Sequence, residues 1–144
     1  MDDFTIIKSG RISGQFNGFN ENKLFKLTDG SFWLQKEYRY WYHYIYNPVV
    51  LIIEYQGDIY LKLEDHDEMV RVKQIHGVIE SNINGAFNGW HGHSKYKLNN
   101  GQVWEQVVYK YEYSYSYCPH VLIYGTSNGI VMDVEGSSAI VRKI

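Results

Sequence analysis

The chain lacks several features that would assign it to a familiar class. It has one cysteine, Cys118, which excludes an internal disulfide and gives no sign of an oxidising compartment. Its longest apolar run, at 48–53, is far too short to cross a membrane. The segment 1–10 is acidic and has no long apolar stretch, so we expect no secretory signal. A cytoplasmic protein without a membrane partner is therefore expected.

Positive charge is scarce as well. Fourteen Lys and Arg against sixteen Asp and Glu give a net charge of −2, whereas proteins that bind nucleic-acid phosphates are normally basic. We therefore expect no nucleic-acid partner. The sequence has no phosphate-binding glycine loop, dinucleotide fingerprint or serine elbow. We expect no cofactor, no metal and no catalytic residue, and a metal-dependent enzyme that uses His91 and His93 stays as an alternative.

Tyrosine is what the chain has in excess. Fourteen Tyr and four Trp bring the aromatic content to 17%. Five tyrosines occupy alternate positions in the first half of the chain, and five more do so in the second half. These two sets, which we call the tyrosine ladders, are Tyr38, Tyr40, Tyr42, Tyr44 and Tyr46, and Tyr109, Tyr111, Tyr113, Tyr115 and Tyr117. Because alternate residues of a strand share one face, each ladder lines one side of a strand over about 26 Å.

The sequences around the ladders repeat as well. Residues 7–73 align with residues 78–144 without a gap. Each residue is thus separated from its counterpart by the same number of positions, which we call the repeat offset, and 23 of these 67 aligned pairs are identical. The alignment matches GQFNGF with GAFNGW and KLTDGSFWLQ with KLNNGQVWEQ, and it matches Arg71 with Arg142. The chain is therefore interpreted as two copies of one unit, with domains at 1–74 and 75–144.

Each half has the pattern of a β protein. Period-2 alternation dominates, and Asp-Gly and Asn-Gly turn signals recur at short spacing. We predict an all-β fold of two tandem small antiparallel SH3-like barrels, packed as one body because so small a unit is marginal alone. Strands of the second half are expected at 78–83, 95–98, 102–117, 120–126, 129–134 and 139–143. The acidic run at 64–68 is predicted to be a solvated hairpin tip.

The ladders allow two interpretations. In the favoured one, the tyrosine rings fill the core, with their hydroxyls reaching its rim. In the other, some of the rings form an open platform on which a base, a sugar or a peptide stacks. The candidate platform residues are Tyr40, Tyr42, Tyr111 and Tyr113.

The opposite face of the ladder strands differs between the halves. It is solvated in the second half, where Ser114 and Ser116 stand, but more apolar in the first, where Trp41 and Ile45 stand. We expect the apolar face to be covered by the second half or by a second chain. A homodimer through this face is an open alternative.

Two further constellations occur in both halves. Trp33 and Gln35, like Trp104 and Gln106, share a strand face, so each pair could sandwich a planar ligand. The alternative is a core Trp whose neighbouring Gln caps a hairpin. FNGF and FNGW are predicted as turns that place Phe19 and Trp90 near a loop mouth, or as purely structural turns. The candidate ligand-binding residues are Phe19, Trp90, Trp33, Trp104, Gln35, Gln106, Tyr40, Tyr42, Tyr111, Tyr113, Arg71 and Arg142.

The combination G-x-F-N-G-[FW], L-x-[DN]-G-x-x-W-x-Q, Y-x-Y-x-Y-x-Y-x-P-x-V-L-I and a closing V-R resembles a small SH3-like bacterial module. The resemblance implies a bacterial or phage origin, and it supplies no activity, cofactor or catalytic residue. The residues predict a non-catalytic module that binds a protein segment or a small nucleotide-like ligand through aromatic surface. The alternative is a protein that sequesters or inhibits another factor, such as an immunity or phage anti-defence protein.

Overall fold

The computed structural model describes residues 3–144, so Met1 and Asp2 of the acidic start lie outside it. The chain divides into two compact units, Met1–His76 and Gly77–Ile144. Every regular element from residue 3 onward is a β-strand, and every paired strand there is antiparallel, which confirms the all-β prediction. None of these residues belongs to a helix with the length and apolar character needed to span a bilayer.

The described part of the first unit, residues 3–76, contains eight strands. They are β1 (Thr5–Arg11), β2 (Gln15–Phe19), β3 (Leu24–Lys26), β4 (Phe32–Gln35), β5 (Trp41–Tyr46), β6 (Val49–Tyr55), β7 (Asp58–Leu63) and β8 (Met69–Ile75). Six of them form a sheet in the order β1-β6-β7-β8-β4-β3, and β2 pairs with β5 in a two-stranded ribbon. The first ladder therefore runs along β5 and the segment that leads into it.

The second unit has the same strand order. Its strands are β9 (Ile79–Asn82), β10 (Ala86–His91), β11 (Lys95–Lys97), β12 (Val103–Gln106), β13 (Tyr111–Tyr117), β14 (His120–Thr126), β15 (Gly129–Val134) and β16 (Ser137–Lys143). The sheet order is β11-β12-β16-β15-β14-β9, with β10 and β13 as the ribbon. Each strand thus corresponds to the one eight places earlier, and the second ladder runs along β13.

The predicted strands of the second half agree only in part. The expectations at 120–126 and 129–134 match β14 and β15 residue for residue. The predicted long strand at 102–117 is two strands, because the chain leaves the sheet at 107–110 before it enters the ribbon. The segment that contains FNGW is strand β10 rather than a turn.

A close backbone approach explains why FNGF and FNGW are strands. Gly18 lies inside β2 with φ +96°, opposite Tyr42, where the register of the ribbon shifts. A Cβ added to Gly18 would lie 1.7 Å from the Trp41 carbonyl oxygen, and one added to Gly89 would lie 2.0 Å from that of Glu112. The glycines therefore let the two ribbon strands touch, a role that is typical of glycine in strands.

Each unit has its own aromatic core. In the first, Phe16 and Phe19 pack edge to face at 5.9 Å between ring centroids, and Trp41 lies 5.3 Å from Phe19. In the second, Trp90 takes the position of Phe19, its indole nitrogen donates to the Ser137 hydroxyl at 2.8 Å, and Glu112 stands where Trp41 would be. Phe19 and Trp90 are both fully buried. The prediction that they stand near a loop mouth is wrong, because both side chains point from their strands into the core.

The repeat offset holds only as far as β7. Tyr60 pairs with Arg71, eleven residues later, whereas the equivalent Val131 pairs with Ile140, nine residues later. The connection between β15 and β16 is therefore shorter than the connection between β7 and β8. Residues of β8 and their counterparts in β16 are separated by less than the repeat offset, and the shortfall equals the difference in length between the two connections. Arg71 is equivalent to Ile140, and Arg142 to Lys73, so matching the two arginines is wrong. The extra residues lie in the acidic run at 64–68, which connects β7 to β8 and is largely exposed, as predicted.

The turn between β3 and β4 carries a charged side chain with a lowered pKa. Asp29 accepts hydrogen bonds from the backbone N–H of Ser31, at 2.9 Å, and from its hydroxyl, and the Lys8 ammonium contacts its carboxylate. The hydrogen bond from Lys8, followed by those from Ser31, lowers the pKa of Asp29 from 3.8 to about 2. The equivalent residue of the second unit is Asn100, which accepts the same backbone bond from Gln102.

The variant Asp29→Asn is expected to keep this turn and to lose the ion pair with Lys8. Because the pKa of Asp29 is lower in the folded than in the unfolded state, its contribution to the free energy of unfolding is present above about pH 4. That contribution is lost as the pH falls towards 2. Urea unfolding of both proteins between pH 6 and pH 2 should show a stability difference that shrinks with acidity. A difference that stays constant over this range would contradict the assignment.

Candidate functional site

All ten ladder tyrosines are open to solvent. Their side chains are between 58% and 72% exposed, along both β5 and β13 and the residues that precede them. The interpretation of the ladders as core is wrong. A strand can turn only one of its two faces inward, and in β5 the inward set is Trp41 and Ile45, which pack against the core.

The cross-strand neighbours of the ladder tyrosines within the two ribbons carry no formal charge. Residues directly opposite each other in a ribbon lie on the same face. Gln15 stands opposite Tyr46 and Gly18 opposite Tyr42. In the second ribbon the cross-strand neighbours of the tyrosines are Ala86, Gly89 and His91, and the His91 ring lies 5.5 Å from that of Tyr111. Glycine and alanine leave the flanks of the neighbouring rings uncovered.

Within β13 the charged Glu112 alternates with the tyrosines and therefore points to the other face, whereas Arg39 of the first ladder precedes β5 and is exposed. The Lys110 ammonium donates to the Ser138 carbonyl at 2.7 Å and lies 3.8 Å from the carboxylate of Glu112. Glu112 in turn accepts a hydrogen bond from the Ser137 hydroxyl. No ladder hydroxyl is hydrogen-bonded within residues 3–144. Each ladder is thus a row of aromatic rings with unpartnered hydroxyls, and its cross-strand neighbours are uncharged.

The apolar back of the first ladder is covered by its own unit. Trp41 stacks on His43 with 4.9 Å between ring centroids, and His43 lies 4.5 Å from His66 of the β7–β8 connection. The core and this connection thus contact the face from within its own unit, and Trp41, His43 and Ile45 stay partly buried. A homodimer through the face of Trp41 and Ile45 stays a prediction.

Both tryptophans of the Trp–Gln pairs are core residues. Trp33 and Trp104 are 6% and 4% exposed. The Trp33 indole nitrogen donates to the Ser31 hydroxyl at 3.0 Å, and that of Trp104 donates to the Gln102 side chain. The interpretation of these rings as a sandwich for a planar ligand is wrong, since neither ring offers a free face.

The glutamines of these pairs hold backbone. Gln35 accepts a hydrogen bond from the Asn20 N–H at 3.1 Å and donates to the carbonyls of Asn20, at 2.6 Å, and Glu37, at 2.8 Å. Gln106 donates to the carbonyls of Val108 and Lys110 at 3.1 and 2.9 Å. The two amides are buried, so they act as clamps on the segments that begin the ladders and not as ligand contacts.

The two candidate arginines bond to neighbouring strands. Arg71 donates to the Lys36 carbonyl at 3.1 Å. Arg142 forms an exposed ion pair with Glu105, with 2.6 Å between nitrogen and oxygen. Because they are not at equivalent positions, they do not form a repeated ligand contact.

No metal centre emerges from the described residues, and an open depression of about 350 Å³ lies beside Arg142 and Glu105 in the second unit. No three or more His, Cys, Asp or Glu side chains among residues 3–144 form a group that could hold a metal ion. His93 instead lies 3.3 Å from the Gln106 carbonyl. A depression of about 200 Å³ beside Tyr46, lined also by Arg11 and His66, is smaller than the 300–1,000 Å³ typical of small-molecule sites.

Within residues 3–144, the ladders are therefore the one feature of both units whose side chains are exposed, aromatic and aligned. The sequence indicates these residues, but the favoured interpretation places them on the wrong face. Comparisons of the chain with protein-family models, with curated proteins and with solved structures find no match. The geometry of the ladders is the observation from which a function has to be inferred.

Proposed function

We propose that this protein is a non-catalytic binding module whose ligand lies against the tyrosine ladders. The observation that supports this is the exposure of ten aligned tyrosines on two ribbons. Contiguous exposed aromatic surface on a globular protein usually marks an interaction site. Tyrosine suits this role because its ring provides a rigid apolar face while its hydroxyl can form a hydrogen bond.

The shape of the ladders favours a ligand that stacks on them. The rings follow each other on one open strand face, and stacking on an aromatic side chain is worth about 1–3 kcal/mol per planar group. Such a surface can accept an extended ligand without enclosing it. A single small ligand, such as a nucleotide, is less favoured because the depression next to Tyr46 is small.

We also infer that the two units arose by internal duplication and that the protein acts in the cytoplasm. Identical strand order supports the duplication, as does the repeat offset, which holds from β1 to β7. The cytoplasmic location rests on the single cysteine. Duplication would give the protein two similar ligand-binding rows.

Replacement of Tyr111, Tyr113 and Tyr115 by threonine tests the binding role of the second ladder, with the same change at Tyr40, Tyr42 and Tyr44 for the first. Threonine keeps the strand propensity but removes the ring. Since these side chains are exposed, each substitution should change the free energy of unfolding by only about 0.5 kcal/mol. Binding is measured on immobilised panels of oligosaccharides, nucleotides, single-stranded DNA and peptides. We expect the variant with all six substitutions, which removes both ladders as binding rows, to bind with at least tenfold lower affinity.

The matched control is Ile6→Thr/Ile7→Thr, which removes exposed apolar side chains of β1 outside the ladders. This control should bind like the unchanged protein. Binding that survives the loss of both ladders, or no binding to any member of the panels, would refute the proposed function.

A further inference from the structure

We propose that the ligand of the ladders is a linear, uncharged glycan chain, an inference that rests on the proposed binding role of the ladders. Three properties of the ladder surface support it: its extent, its scarcity of cations, and its position on a strand face instead of a strand edge. Each property argues against a different competing ligand.

The extent of each ladder fits a polymer. Three rings of the first ladder lie in β5 and four of the second lie in β13, which gives strand lengths of about 13 Å and about 20 Å at about 3.3 Å per residue. All ten rings remain open. A compact ligand would contact only two or three rings of a ladder, and the remaining rings would stay exposed to solvent. A chain molecule contacts the whole row, so that weak contacts at each ring add up.

The charge of the ladder surface disfavours phosphates and other anionic polymers. No Lys or Arg stands opposite a ladder tyrosine in either ribbon. Lys110 lies on the opposite face, with its ammonium bonded to the Ser138 carbonyl. Affinity for nucleic acid depends on neutralising phosphates with cations.

The ladders have few cations nearby. Arg11 borders the depression beside Tyr46, with its guanidinium bonded to the Asn47 carbonyl. Arg39 is exposed between two tyrosines of the first ladder, Tyr38 and Tyr40. An uncharged chain has no requirement for cations.

The position of the tyrosines disfavours an extended peptide. Peptides bound to sheets usually add a strand to an edge, where backbone hydrogen bonds provide the affinity. The ladder strands β5 and β13 each have one free edge, because each pairs with one strand only within residues 3–144, but the tyrosine rings cover the strand face and not that edge. A peptide lying on the rings would leave most of its own N–H and C=O groups without protein partners.

A sugar ring matches this face chemically. Its axial C–H groups form a weakly positive apolar patch that can lie on the electron-rich face of a tyrosine ring. Its equatorial hydroxyls project sideways, where they can bond to the unpartnered tyrosine hydroxyls and to polar neighbours such as Gln15 and Asn88. The same two contacts recur at each ring of the row.

The test is co-sedimentation of the full chain with insoluble cellulose, chitin, β-1,3-glucan and starch, with heparin beads and oligo-dT beads as anionic comparisons. We expect retention on at least one neutral glycan, little change in retention between 50 mM and 500 mM NaCl, and at least tenfold weaker retention after Tyr→Thr substitution of both ladders. Tyr→Phe substitution at the same positions should retain part of the binding, because it keeps the ring and removes the hydroxyl.

The outcomes separate this inference from the proposed function. Ladder-dependent binding to oligo-dT or to a peptide panel, without binding to any neutral glycan, would overturn the glycan inference and leave the binding role intact. Glycan binding that is unchanged by loss of both ladders would overturn the glycan inference as well. If no probe binds in a ladder-dependent way, both proposals fail.

Discussion

The variant Gly89→Ala is expected to lower the free energy of unfolding by at least about 3 kcal/mol. The new methyl carbon would lie 2.0 Å from the Glu112 carbonyl oxygen and 2.7 Å from the Ser114 nitrogen, both of which are backbone atoms. Side-chain motion cannot relieve this overlap, so β10 and β13 must separate. Trp90 follows directly and is fully buried, so the separation would open the second core. Urea unfolding followed by tryptophan fluorescence measures the loss.

Gly85→Ala is the matched control for this prediction. Gly85 has φ +100°, close to the +97° of Gly89, but nothing lies within 4 Å of a Cβ added there. The control therefore carries only the strain of a left-handed alanine, about 1–2 kcal/mol. In the first unit, Gly18 and Gly14 form the same pair. Equal losses for Gly89→Ala and Gly85→Ala would show that the contact between the ribbon strands is not what requires glycine.

The variant Gln35→Met is expected to destabilise the first unit by about 3 kcal/mol, because it removes a buried amide and keeps a side chain of similar length. The Asn20 N–H and the Glu37 carbonyl would lose their partner, whereas the Asn20 carbonyl keeps the Arg39 N–H. Each orphaned group costs about 1–3 kcal/mol if it stays dry. The carbonyls of Glu37 and Arg39 flank Tyr38, so the start of the first ladder should loosen as well. Hydrogen exchange at 36–40 measures this effect beside the unfolding curve.

The second unit provides the comparison. The side-chain amide of Gln106 donates two hydrogen bonds, but its buried oxygen Oε1 has no protein partner among the described residues. Gln106→Met therefore orphans fewer groups and should cost less than Gln35→Met. The exposed Gln74→Met serves as a control with a change near zero. An equal cost at Gln35 and Gln106, or unchanged exchange at 36–40, would contradict the clamp role.

Local sequence predicts the strands of this protein better than it predicts which face of each strand is buried. Strands β14 and β15 agree with the prediction because turn residues bound them on both sides. The ladder faces could not be predicted in the same way, because tyrosine is suited to both core and surface. The alternating residues of β13 include Glu112 and Ser116, which favour burial of the tyrosines and so indicate the wrong face.

The buried face of the ladder strands could have been predicted from a pair of sequence differences between the two units, which lie on paired strands. Phe19 and Trp41 in the first unit correspond to Trp90 and Glu112 in the second. Besides Trp33 and Trp104, each core therefore has one further indole, but on a different strand. This exchange places Trp41 and Trp90 inward, and hence the tyrosines outward. The close approach at Gly18 and Gly89 depends on the partner strand, so FNGF and FNGW look like turns when they are considered alone.

The different lengths of the β7–β8 and β15–β16 connections limit how this unit can tolerate insertions. Counted by strand pairing, the difference is two residues, and Val70 and Val72 stay buried like their equivalents Ala139 and Val141. Side chains alternate between the faces of a strand, so an even insertion preserves the parity of β8. An odd insertion would expose both valines and bury Arg71 instead, unless a bulge absorbed the extra residue. Length variation at this tip is therefore expected in steps of two.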